Sequence, residues 1–574
     1  MSKGVYEMIT VGINACITND VMSNNIIKVD GGGVCLFKDD IIISAITEER
    51  ITKKKYQGGF KESIKYVLDA SNLSFKDVDT YAFSFYGVAN PVPQNLKDYL
   101  IKELDIQNHQ ELRILESHHL SHAYSAYFSS QFDKSLIIVN DNEGSVLGEK
   151  KSNTMLENSC ERTSYYLAEN NSIKLIDRDF AYPYALAFGK LYNKCTKYLG
   201  LGNYHNAGKT MGLASFSTGK FNNLNDAYIF DKDGSLNCII DDTGNSERDI
   251  KRLFNQLGVN IPDARKADEP IKQIHAEIAG YIQGQLEKWI NYKASLLSRK
   301  YGVENICLGG GVALNCLVNT SLLKNRDIKK VYVPAAPQDQ GLCIGNAIWN
   351  IINKKQNKIE KVEFDIPLFL GKKYKVDEKT IENYLKKFDN LKYRKLDDKV
   401  KTCCDLLSNS NIVAWFQNES EFGPRALGNR SILASPNDKF MLNRLNIHVK
   451  KRETFRPFAP SVIQEKVEEY FQEKDIDSPS MMFTANVKEE FKDLLASVVH
   501  IDGTARLQTV SHKDNPLYYN LIKNYGEKYG VYALLDTSFN LNGMPIVETP
   551  EDAINCYYSS EIDYLILEDF LIYK

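Results

Sequence analysis

The sequence lacks the features of a secreted, membrane-spanning or zinc-ribbon protein. No apolar run approaches the ~20 residues that a helix needs to cross a bilayer, and the first residues do not have the pattern of a secretory leader. The eleven cysteines include no Cys-x-x-Cys pair, which argues against a zinc ribbon or a disulfide framework. We therefore expect a cytoplasmic protein with reduced thiols and no membrane partner.

The sequence also lacks an excess of either charge. It has 71 basic and 74 acidic residues, for a net charge of −3, whereas nucleic-acid-binding proteins carry a clear basic excess. We therefore expect no nucleic-acid partner. A chain of 574 residues with 43% hydrophobic residues has a globular composition and is too long for one core, so we predict two large domains. Composition leaves both a monomer and a homodimer open.

Histidine is scarce, but three of the nine histidines fall within residues 118–122. His118 and His122 are four residues apart, so a helix would place both on one face, and this spacing can present two imidazoles to one metal ion. Taken alone, such a pair more often belongs to ordinary packing. Asp141 follows the apolar run 136–139, at the end of a predicted buried strand. Two histidines and one aspartate suit a first-row transition metal.

The first 71 residues have a β pattern followed by a charged run. We predict a strand over 8–14, a glycine turn over 30–33 and a hairpin whose strands cover 34–37 and 41–46. The charged run 48–55 then precedes a helix near 61–71. Such a run is usually a solvated face, but this one follows a strand end, where a substrate or phosphate contact would fit.

Two glycine-containing segments suit a nucleotide. Lys209 is flanked by glycines in 208–214, which we predict to be a loop near a phosphate. An amphipathic helix over 270–297, whose apolar stripe belongs to the core, leads to a strand over 305–308. Glycines allow a close backbone approach to a ligand, and helix N-termini favour phosphate. The predicted nucleotide-contacting turn after that strand consists of Gly309, Gly310, Gly311 and, one turn into a helix, Asn315.

The region after this turn holds one more strand end and a change of composition. Asp339 follows a predicted strand over 331–333, and ligands bind at strand ends in open α/β sheets. Residues 354–375 are then rich in Lys, Gln and Asn, which is typical of a linker. We predict a first domain over 1–355, a linker region over 356–390 and a second domain over 391–574.

The second domain contains a local basic excess. Residues 421–460 have eight basic residues against three acidic ones, interleaved with Phe, Gly and Pro. Arginine matches the geometry of phosphate oxygens, and too few aromatic residues accompany the charge to favour RNA. We predict a small phosphorylated ligand. The candidate ligands are Arg425, Arg430, Lys450, Arg452, Arg456, Arg506, Ser538 and Asn540.

Taken together, the motifs resemble a known family. HHLSHA (118–123), KTMGLA (209–214), GGGVALN (309–315), PQDQG (337–341), FGPRALGNR (422–430), RETFRPFAP (452–460), DGTAR (502–506) and TSFN (537–540) occur in the order seen in the NodU/CmcH-type O-carbamoyltransferases, which modify nodulation factors and antibiotics. The resemblance implies an α/β chain with a duplicated actin/sugar-kinase/Hsp70-like (TsaD-like) N-terminal domain and an α/β YrdC-like C-terminal domain.

The resemblance also implies a reaction and roles for the candidate residues. Carbamoyl phosphate and Mg-ATP would give carbamoyl adenylate in the second domain, whose carbamoyl group is then transferred in the first to a hydroxyl of a small-molecule natural product. Lys209 and the turn at 309–315 would bind the adenylate. Fe(II) or Mn(II) suits the metal site, and zinc stays open. The implied metal ligands are His118, His122, Asp141 and Asp339, and the implied catalytic residues are His118, His122, Lys55 and Arg456.

The sequence departs from the family in the loop after its first strand. The family usually has a His-Asp pair there, whereas this chain has residues 14–20 without histidine. If that histidine deprotonates the acceptor, this chain needs another base, and Asp20, Asp30 and Lys55 are candidates by position.

Three other functions remain open from the sequence. They are threonylcarbamoyl transfer to tRNA, carbamoylation of a protein cysteine as in hydrogenase maturation, and a binding protein without activity. The acidic net charge and the arginine set weigh against the first, and the absence of Cys-x-x-Cys weighs against the second.

Overall fold

The computed structural model describes residues 7–19, 26–88, 91–148, 159–231, 234–355, 361–388 and 390–574. The chain forms two compact units, and neither is one continuous stretch of sequence. Unit 1 comprises residues 1–48 and 57–366, and unit 2 comprises residues 49–56 and 367–574.

Unit 1 combines strands and helices throughout its length. Its strands are β1 (Ile9–Asn14), β2 (Ile17–Asn19), β3 (Ile26–Lys28), β4 (Gly33–Lys38), β5 (Ile41–Thr47), β6 (Thr80–Ser84), β7 (Glu111–Leu115), β8 (Lys134–Asn140), β9 (Thr163–Glu169), β10 (Ser172–Asp179), β11 (Tyr228–Phe230), β12 (Leu236–Cys238), β13 (Asn305–Gly309) and β14 (Lys330–Tyr332). Its helices are α1 (Glu48–Thr52), which continues into unit 2, α2 (Lys61–Ala70), α3 (Gln94–Leu104), α4 (His118–Phe128), α5 (Phe188–Tyr198), α6 (Ala207–Ala214), α7 (Ser246–Gln256), α8 (Gln273–Tyr301), α9 (Cys316–Leu323) and α10 (Leu342–Lys354).

Unit 1 contains the same sheet twice. The first sheet has the order β5-β4-β1-β6-β7 and the second has the order β10-β9-β8-β13-β14. In each sheet the first three strands along the chain pair antiparallel, and the last two run parallel to the first of them. This shared order confirms the α/β class and the predicted duplication. The predicted hairpin (β4–β5) and the long core helix (α8) are also confirmed.

Glycines bring the elements around α10 unusually close together. A Cβ atom at Gly12 of β1 would lie 2.0 Å from the Cys343 carbonyl oxygen of α10, and one at Gly345 of α10 would lie 2.0 Å from the Ser121 carbonyl oxygen of α4. A larger residue at either position would therefore push α10 away. Asn346 of α10 reinforces the contact because its amide nitrogen donates to the carbonyl oxygen of Ile13 (2.9 Å) and its amide oxygen accepts from Ser121 Oγ (2.8 Å).

Unit 2 is built on a single sheet of nine strands. Its strands are β15 (Lys392–Lys395), β16 (Val413–Phe416), β17 (Arg430–Ala434), β18 (Ala459–Ile463), β19 (Phe483–Asn486), β20 (Thr504–Val510), β21 (Ala533–Ser538), β22 (Tyr564–Leu567) and β23 (Phe570–Tyr573), in the order β15-β23-β22-β16-β17-β21-β18-β20-β19. Its helices are α11 (Glu378–Leu385), α12 (Lys399–Ser408), α13 (Met441–Arg444), α14 (Val467–Tyr470), α15 (Pro516–Tyr529) and α16 (Pro550–Tyr558). The likeness of this unit to YrdC proteins stays a prediction.

The predicted domain boundaries need correction. Much of the predicted linker belongs to unit 2, since the backbone amides of Leu370 and Gly371 donate to the Ser420 carbonyl oxygen (both 3.0 Å) and α11 lies within it. Residues 356–360 and 389 of that linker lie outside the described residues. Composition misled here, because a polar, lysine-rich surface helix and a linker have similar residues.

The segment 49–56, predicted in the first domain, is part of unit 2. The Arg50 guanidinium donates to the Gly423 carbonyl oxygen (2.9 Å) and lies 3.8 Å from the Glu548 carboxylate. Arg50 and Glu548 are both buried, with side chains 2% and 0% exposed. A buried ion pair therefore holds this early segment in a unit formed mainly by the C-terminal third of the chain.

Among the described residues, none of the helices combines the length and the apolar character needed to cross a bilayer.

We expect Glu548→Ala to destabilise unit 2 by about 3–5 kcal/mol, because it leaves the Arg50 charge buried without its carboxylate. Urea unfolding followed by tryptophan fluorescence, to which the buried Trp415 contributes, measures the change. The control is Lys53→Ala in the same segment, which breaks the ion pair of Lys53 with Asp552; its lysine is 47% exposed, so the loss should stay below about 1 kcal/mol. Equal losses in the two variants would contradict the anchoring role of Arg50.

Candidate functional site

Four side chains that could hold a metal ion meet in unit 1. The Nε2 atoms of His118 and His122 are 3.3 Å apart. Asp141 Oδ2 lies 3.7 and 3.3 Å from these two nitrogens, and Asp339 Oδ1 lies 3.4 and 3.6 Å from them. One potential ligand atom of each residue lies within 4.8 Å of all the others. We call these four residues the ligand quartet; they are the same four that the family resemblance implied.

Each member of the quartet occupies the end of a secondary-structure element. His118 and His122 lie in the first two turns of α4, Asp141 directly follows β8, and Asp339 lies shortly before α10. Since α10 packs closely on α4 through Gly345, the residues just before α10 are carried to the start of α4. The packing of two helices thus brings together residues that are more than two hundred positions apart.

A buried carboxylate that the sequence analysis missed fixes the start of α4. Glu161 accepts hydrogen bonds from the Ser117 hydroxyl (2.6 Å) and from the backbone amides of His119 and Ser145 (both 3.1 Å). The Ser117 side chain in turn caps α4 by accepting from the Leu120 amide (3.0 Å), as N-cap residues do. Glu161 is 1% exposed and lies in no motif named above, so its positioning role could not be read from the sequence.

The glycine turn predicted to contact a nucleotide also packs against the quartet. A Cβ atom at Gly309 would lie 3.1 Å from His122 Cβ, and one at Gly311 would lie 3.3 Å from Asp141 Oδ1. Gly310 has a φ of +85°, and a Cβ there would lie 2.2 Å from the Asn140 carbonyl oxygen. Close packing therefore already requires small residues here, and a role in nucleotide binding stays a prediction.

The electrostatics of the quartet favour a positive charge among its members. Burial lowers the pKa of His118, but Asp339 and Asp141 outweigh this effect and raise that pKa to about 10. Burial by itself would raise the pKa of Asp141, yet His118 and His122 hold it far below its usual range. The two carboxylates therefore stay ionised, and either an imidazolium or a bound cation balances them.

Two observations indicate that the quartet fits a metal ion. Ligand atoms about 2.1 Å from one ion at a tetrahedral angle lie about 3.4 Å apart, and the five distances above run from 3.3 to 3.7 Å. Asp141 Oδ2 is also buried without a hydrogen-bond donor among the described residues, which is costly unless a cation takes that place. Imidazole and carboxylate donors suit iron, manganese and zinc.

The loop that lacks the family's histidine lies beside Asp339. The Asn14 amide nitrogen donates to the Asp339 carbonyl oxygen (2.7 Å) and to the Gly31 carbonyl oxygen (3.4 Å). The Cys16 thiol lies 3.9 Å from Asp339 Oδ2. Asp30, one of the three candidate bases, is the residue before Gly31, whereas Asp20 lies outside the described residues.

Two of the predicted nucleotide contacts take different local structures from those expected. Lys209 lies in the first turn of α6, not in a loop, because both flanking glycines are helical. Asn315 is the N-cap of α9: its side-chain oxygen accepts from the Val318 amide (3.2 Å) and its amide nitrogen donates to Gln283 Oε1 (2.8 Å). The side chain of Asn315 therefore holds the helix start in place.

Unit 2 brings most of the predicted phosphate ligands together. Burial, followed by the charges of Arg456 and Arg506, lowers the pKa of Arg452 to about 9. Burial also lowers the pKa of Lys450 far below its usual range, and the charges of Arg452, Arg456 and Lys55 add to the effect. Cations that lower each other's pKa create a positive field that an anion would relieve. We call Lys55, Lys450, Arg452, Arg456 and Arg506 the cation cluster.

Lys55 reaches this cluster because the segment 49–56 belongs to unit 2. The structure therefore groups Lys55 with the predicted phosphate ligands, and its role as an acceptor base stays a prediction. Arg425 lies half-buried in the loop before β17.

Lys450 links two further predicted ligands. Its ammonium group donates to the Ser538 hydroxyl (3.3 Å) and to the carbonyl and side-chain oxygens of Asn540 (3.0 and 2.9 Å). Ser538 and Asn540 thus hold Lys450 at the end of β21, and their contact with phosphate stays a prediction.

Arg430 takes a different role from the one predicted. Its guanidinium group is fully buried, donates to the carbonyl oxygens of Gln417, Asn429 and Asn418 (2.7, 3.0 and 3.0 Å) and lies 3.6 Å from the ring centre of Phe416. Motif spacing alone cannot show that an arginine faces backbone carbonyls instead of a ligand.

We expect Arg430→Ala to destabilise unit 2 by about 3 kcal/mol or more, because the carbonyl oxygens of Gln417, Asn429 and Asn418 each lose a charged donor. Arg456→Ala serves as the matched control and should change stability little, since it removes one of several mutually repelling cations. Urea unfolding of both variants measures the difference. If Arg430→Ala unfolds at the wild-type midpoint, the structural role of Arg430 is wrong.

Two family models and several known proteins match this chain. The family model described as carbamoyltransferase N-terminus matches residues 92–348, and the one described as carbamoyltransferase C-terminus matches residues 404–574. Nodulation protein NolNO of Sinorhizobium fredii is 30% identical over 98% of this chain and 82% of its own length. Nodulation protein NolO of Bradyrhizobium diazoefficiens is 31% identical over 80% of this chain and 79% of its own length. The 3'-hydroxymethylcephem-O-carbamoyltransferase of Streptomyces clavuligerus is 29% identical over 46% of this chain and 47% of its own length. The chain therefore belongs to the carbamoyltransferase family and is a transferase enzyme.

Proposed function

We propose that the protein is an ATP-dependent O-carbamoyltransferase that modifies a hydroxyl group of a small-molecule natural product. The observation that carries this proposal is the presence, in one chain, of a quartet with two buried histidines and two partly exposed aspartates in unit 1 and a cation cluster in unit 2. Two chemically different sites suit two successive steps. A relative that is named an O-carbamoyltransferase supports a hydroxyl acceptor.

The first step activates the carbamoyl group at the cation cluster. Carbamoyl phosphate carries a phosphate dianion, which Arg452, Arg456 and Arg506 suit by charge and by the planar geometry of their guanidinium groups. Hydrolysis of carbamoyl phosphate gives inorganic phosphate and carbamate. An oxygen atom of the carbamate then attacks the α-phosphorus of Mg-ATP. The products are carbamoyl adenylate and pyrophosphate, and the surrounding cations stabilise the negative charge that develops.

The second step transfers the carbamoyl group in unit 1. The acceptor hydroxyl gives up its proton as its oxygen bonds to the carbamoyl carbon. The bond from that carbon to the adenylate oxygen breaks, which releases AMP. Lys209 and the turn from Gly309 to Gly311 are the proposed contacts of the adenylate. The position of Lys209 in the first turn of α6 suits a phosphate group, since helix N-termini favour anions.

We further propose that the quartet holds Fe(II) or Mn(II). Zinc prefers the same donor atoms and is the alternative ion. Such an ion supplies Lewis-acid polarisation of the carbamoyl group. His118, His122, Asp141 and Asp339 would hold it, and Glu161 keeps the two histidines in place by fixing the start of α4.

We expect the purified protein to bind one divalent first-row ion per chain and His122→Asn to lose most of it, because one of four ligands is removed. Elemental analysis after dialysis against Fe(II), Mn(II) or Zn(II) measures the bound ion. His119→Gln is the matched control: His119 is the neighbour of a ligand, but its Nδ1 contacts Ser164 Oγ (2.7 Å) instead. Equal metal content in both variants would show that the quartet is not the metal site.

We expect the enzyme to release pyrophosphate from ATP only when carbamoyl phosphate is present. Arg456→Ala should abolish this release, because it removes a central cation of the first step. His122→Ala should mainly block carbamoyl transfer, seen as a loss of AMP formation relative to pyrophosphate formation. A requirement for threonine and bicarbonate instead of carbamoyl phosphate would sink the proposed reaction and favour threonylcarbamoyl transfer.

A further inference from the structure

A histidine outside the quartet forms a pair with a carboxylate in unit 1. His205 Nε2 lies 2.8 Å from Asp30 Oδ2, and the hydroxyl of Tyr204 donates to the same oxygen. The two partners are 175 residues apart in sequence. Neither belongs to the quartet, and the activation chemistry proposed above uses neither. The sequence offered Asp30 as a candidate base by position but gave no reason to consider His205.

Three observations place this pair beside the Asp339 side of the quartet. Gly31, which follows Asp30, lies so close that a Cβ atom there would be 3.5 Å from Asp339 Cβ. Asn14 donates to the carbonyl oxygens of both Gly31 and Asp339. Burial, then Asp30, then Asp339 raise the pKa of Tyr204 well above its usual value, in agreement with a position of the phenol near both carboxylates.

The backbone holds His205 in a defined position. Gly200 and Gly202 have φ values of +61° and +119°, which turn the chain sharply after α5. The Asn203 side chain then accepts from the His205 amide (3.2 Å), which starts a short 3₁₀ turn over residues 204–206 that leads directly into α6. His205 therefore precedes Lys209 by one turn, so the same short segment carries an imidazole and the proposed adenylate contact.

The pair also has the exposure that a reacting group needs. The side chain of His205 is 14% exposed and that of Asp30 is 44% exposed, so a small molecule can reach them. A carboxylate that accepts from one ring nitrogen fixes the imidazole tautomer and stabilises the imidazolium ion. With the proton of the neutral ring on Nε2, facing Asp30, the lone pair lies on Nδ1.

We propose that His205 is the general base that deprotonates the acceptor hydroxyl, with Asp30 as its positioning residue. This inference rests on the proposed O-carbamoyl transfer. As the acceptor oxygen bonds to the carbamoyl carbon, its O–H bond breaks and the proton moves to His205 Nδ1. The bond from the carbamoyl carbon to the adenylate oxygen breaks in the same step, and AMP leaves with that electron pair. The His205–Asp30 pair thus replaces the histidine that the loop after β1 lacks.

The test compares two nucleophiles that attack carbamoyl adenylate formed by the enzyme. Water needs a base, whereas neutral hydroxylamine attacks acyl groups without one. In His205→Gln we expect the ratio of water-dependent to hydroxylamine-dependent AMP release to fall by about 100-fold, the scale of general-base catalysis. Asp30→Asn should lower the same ratio by a smaller factor. A merely structural change would slow both nucleophiles alike and leave the ratio unchanged.

A rescue experiment provides the second readout. Imidazole added to His205→Ala should restore water-dependent AMP release, and it should have no effect on His109→Ala, which removes an exposed histidine that contacts the Lys76 carbonyl oxygen. An unchanged ratio in His205→Gln, in an enzyme that releases pyrophosphate with carbamoyl phosphate, would overturn the base assignment and leave the proposed function intact. If the wild-type enzyme shows no such pyrophosphate release, the proposed function fails, and the assignment of His205 fails with it.

Discussion

The close approach of α10 to β1 and α4 is the contact on which the rest of unit 1 depends. It exists because Gly12 and Gly345 leave no side chain between the backbones. The approach brings Asp339 to the two histidines of α4, and the absence of a side chain at Gly309 and Gly311 leaves room for His122 and Asp141. Two carboxylates and two imidazoles then lie close together, where their opposite tendencies to ionise stabilise each other. A buried group of this kind keeps its geometry only if the surrounding backbone cannot relax.

The two units differ in the sign of the charges that they bring together. The quartet of unit 1 contains acids and bases, so it can be neutral as a whole. The cation cluster of unit 2 is mainly positive, and Lys450 is kept in place by backbone and side-chain oxygens at the end of β21. An anion would stabilise this cluster. The contrast suits the two proposed steps, of which the first takes a phosphate dianion and the second a neutral alcohol.

Sequence reasoning identified the parts of the sites that depend on local pattern. The four-residue spacing of His118 and His122 and the position of Asp141 after a strand are local signals, and the family resemblance added Asp339. The structure brings all four residues together. Glu161 and His205 could not be identified, because their importance comes from partners far away in sequence and no motif marks them. Arg430 was misjudged for a related reason, since a motif shows which residue is present but not which way its guanidinium group points. The duplication of the fold was predicted, although not the order of the strands. The place of segment 49–56 in unit 2 was not predicted.

That segment has a consequence for how the protein is made. Residues 49–56 leave the ribosome before most of unit 1, yet the partner of Arg50 is Glu548, close to the C-terminus. Unit 2 therefore cannot be completed during synthesis until nearly five hundred further residues have been added. A gene cut between residues 366 and 367 would yield a C-terminal fragment without Arg50 and Lys55. In that fragment the buried carboxylate of Glu548 would lack its partner Arg50, which lies on the other fragment. The two units are therefore distinct in the structure, but unit 2 is assembled from residues near both ends of the chain.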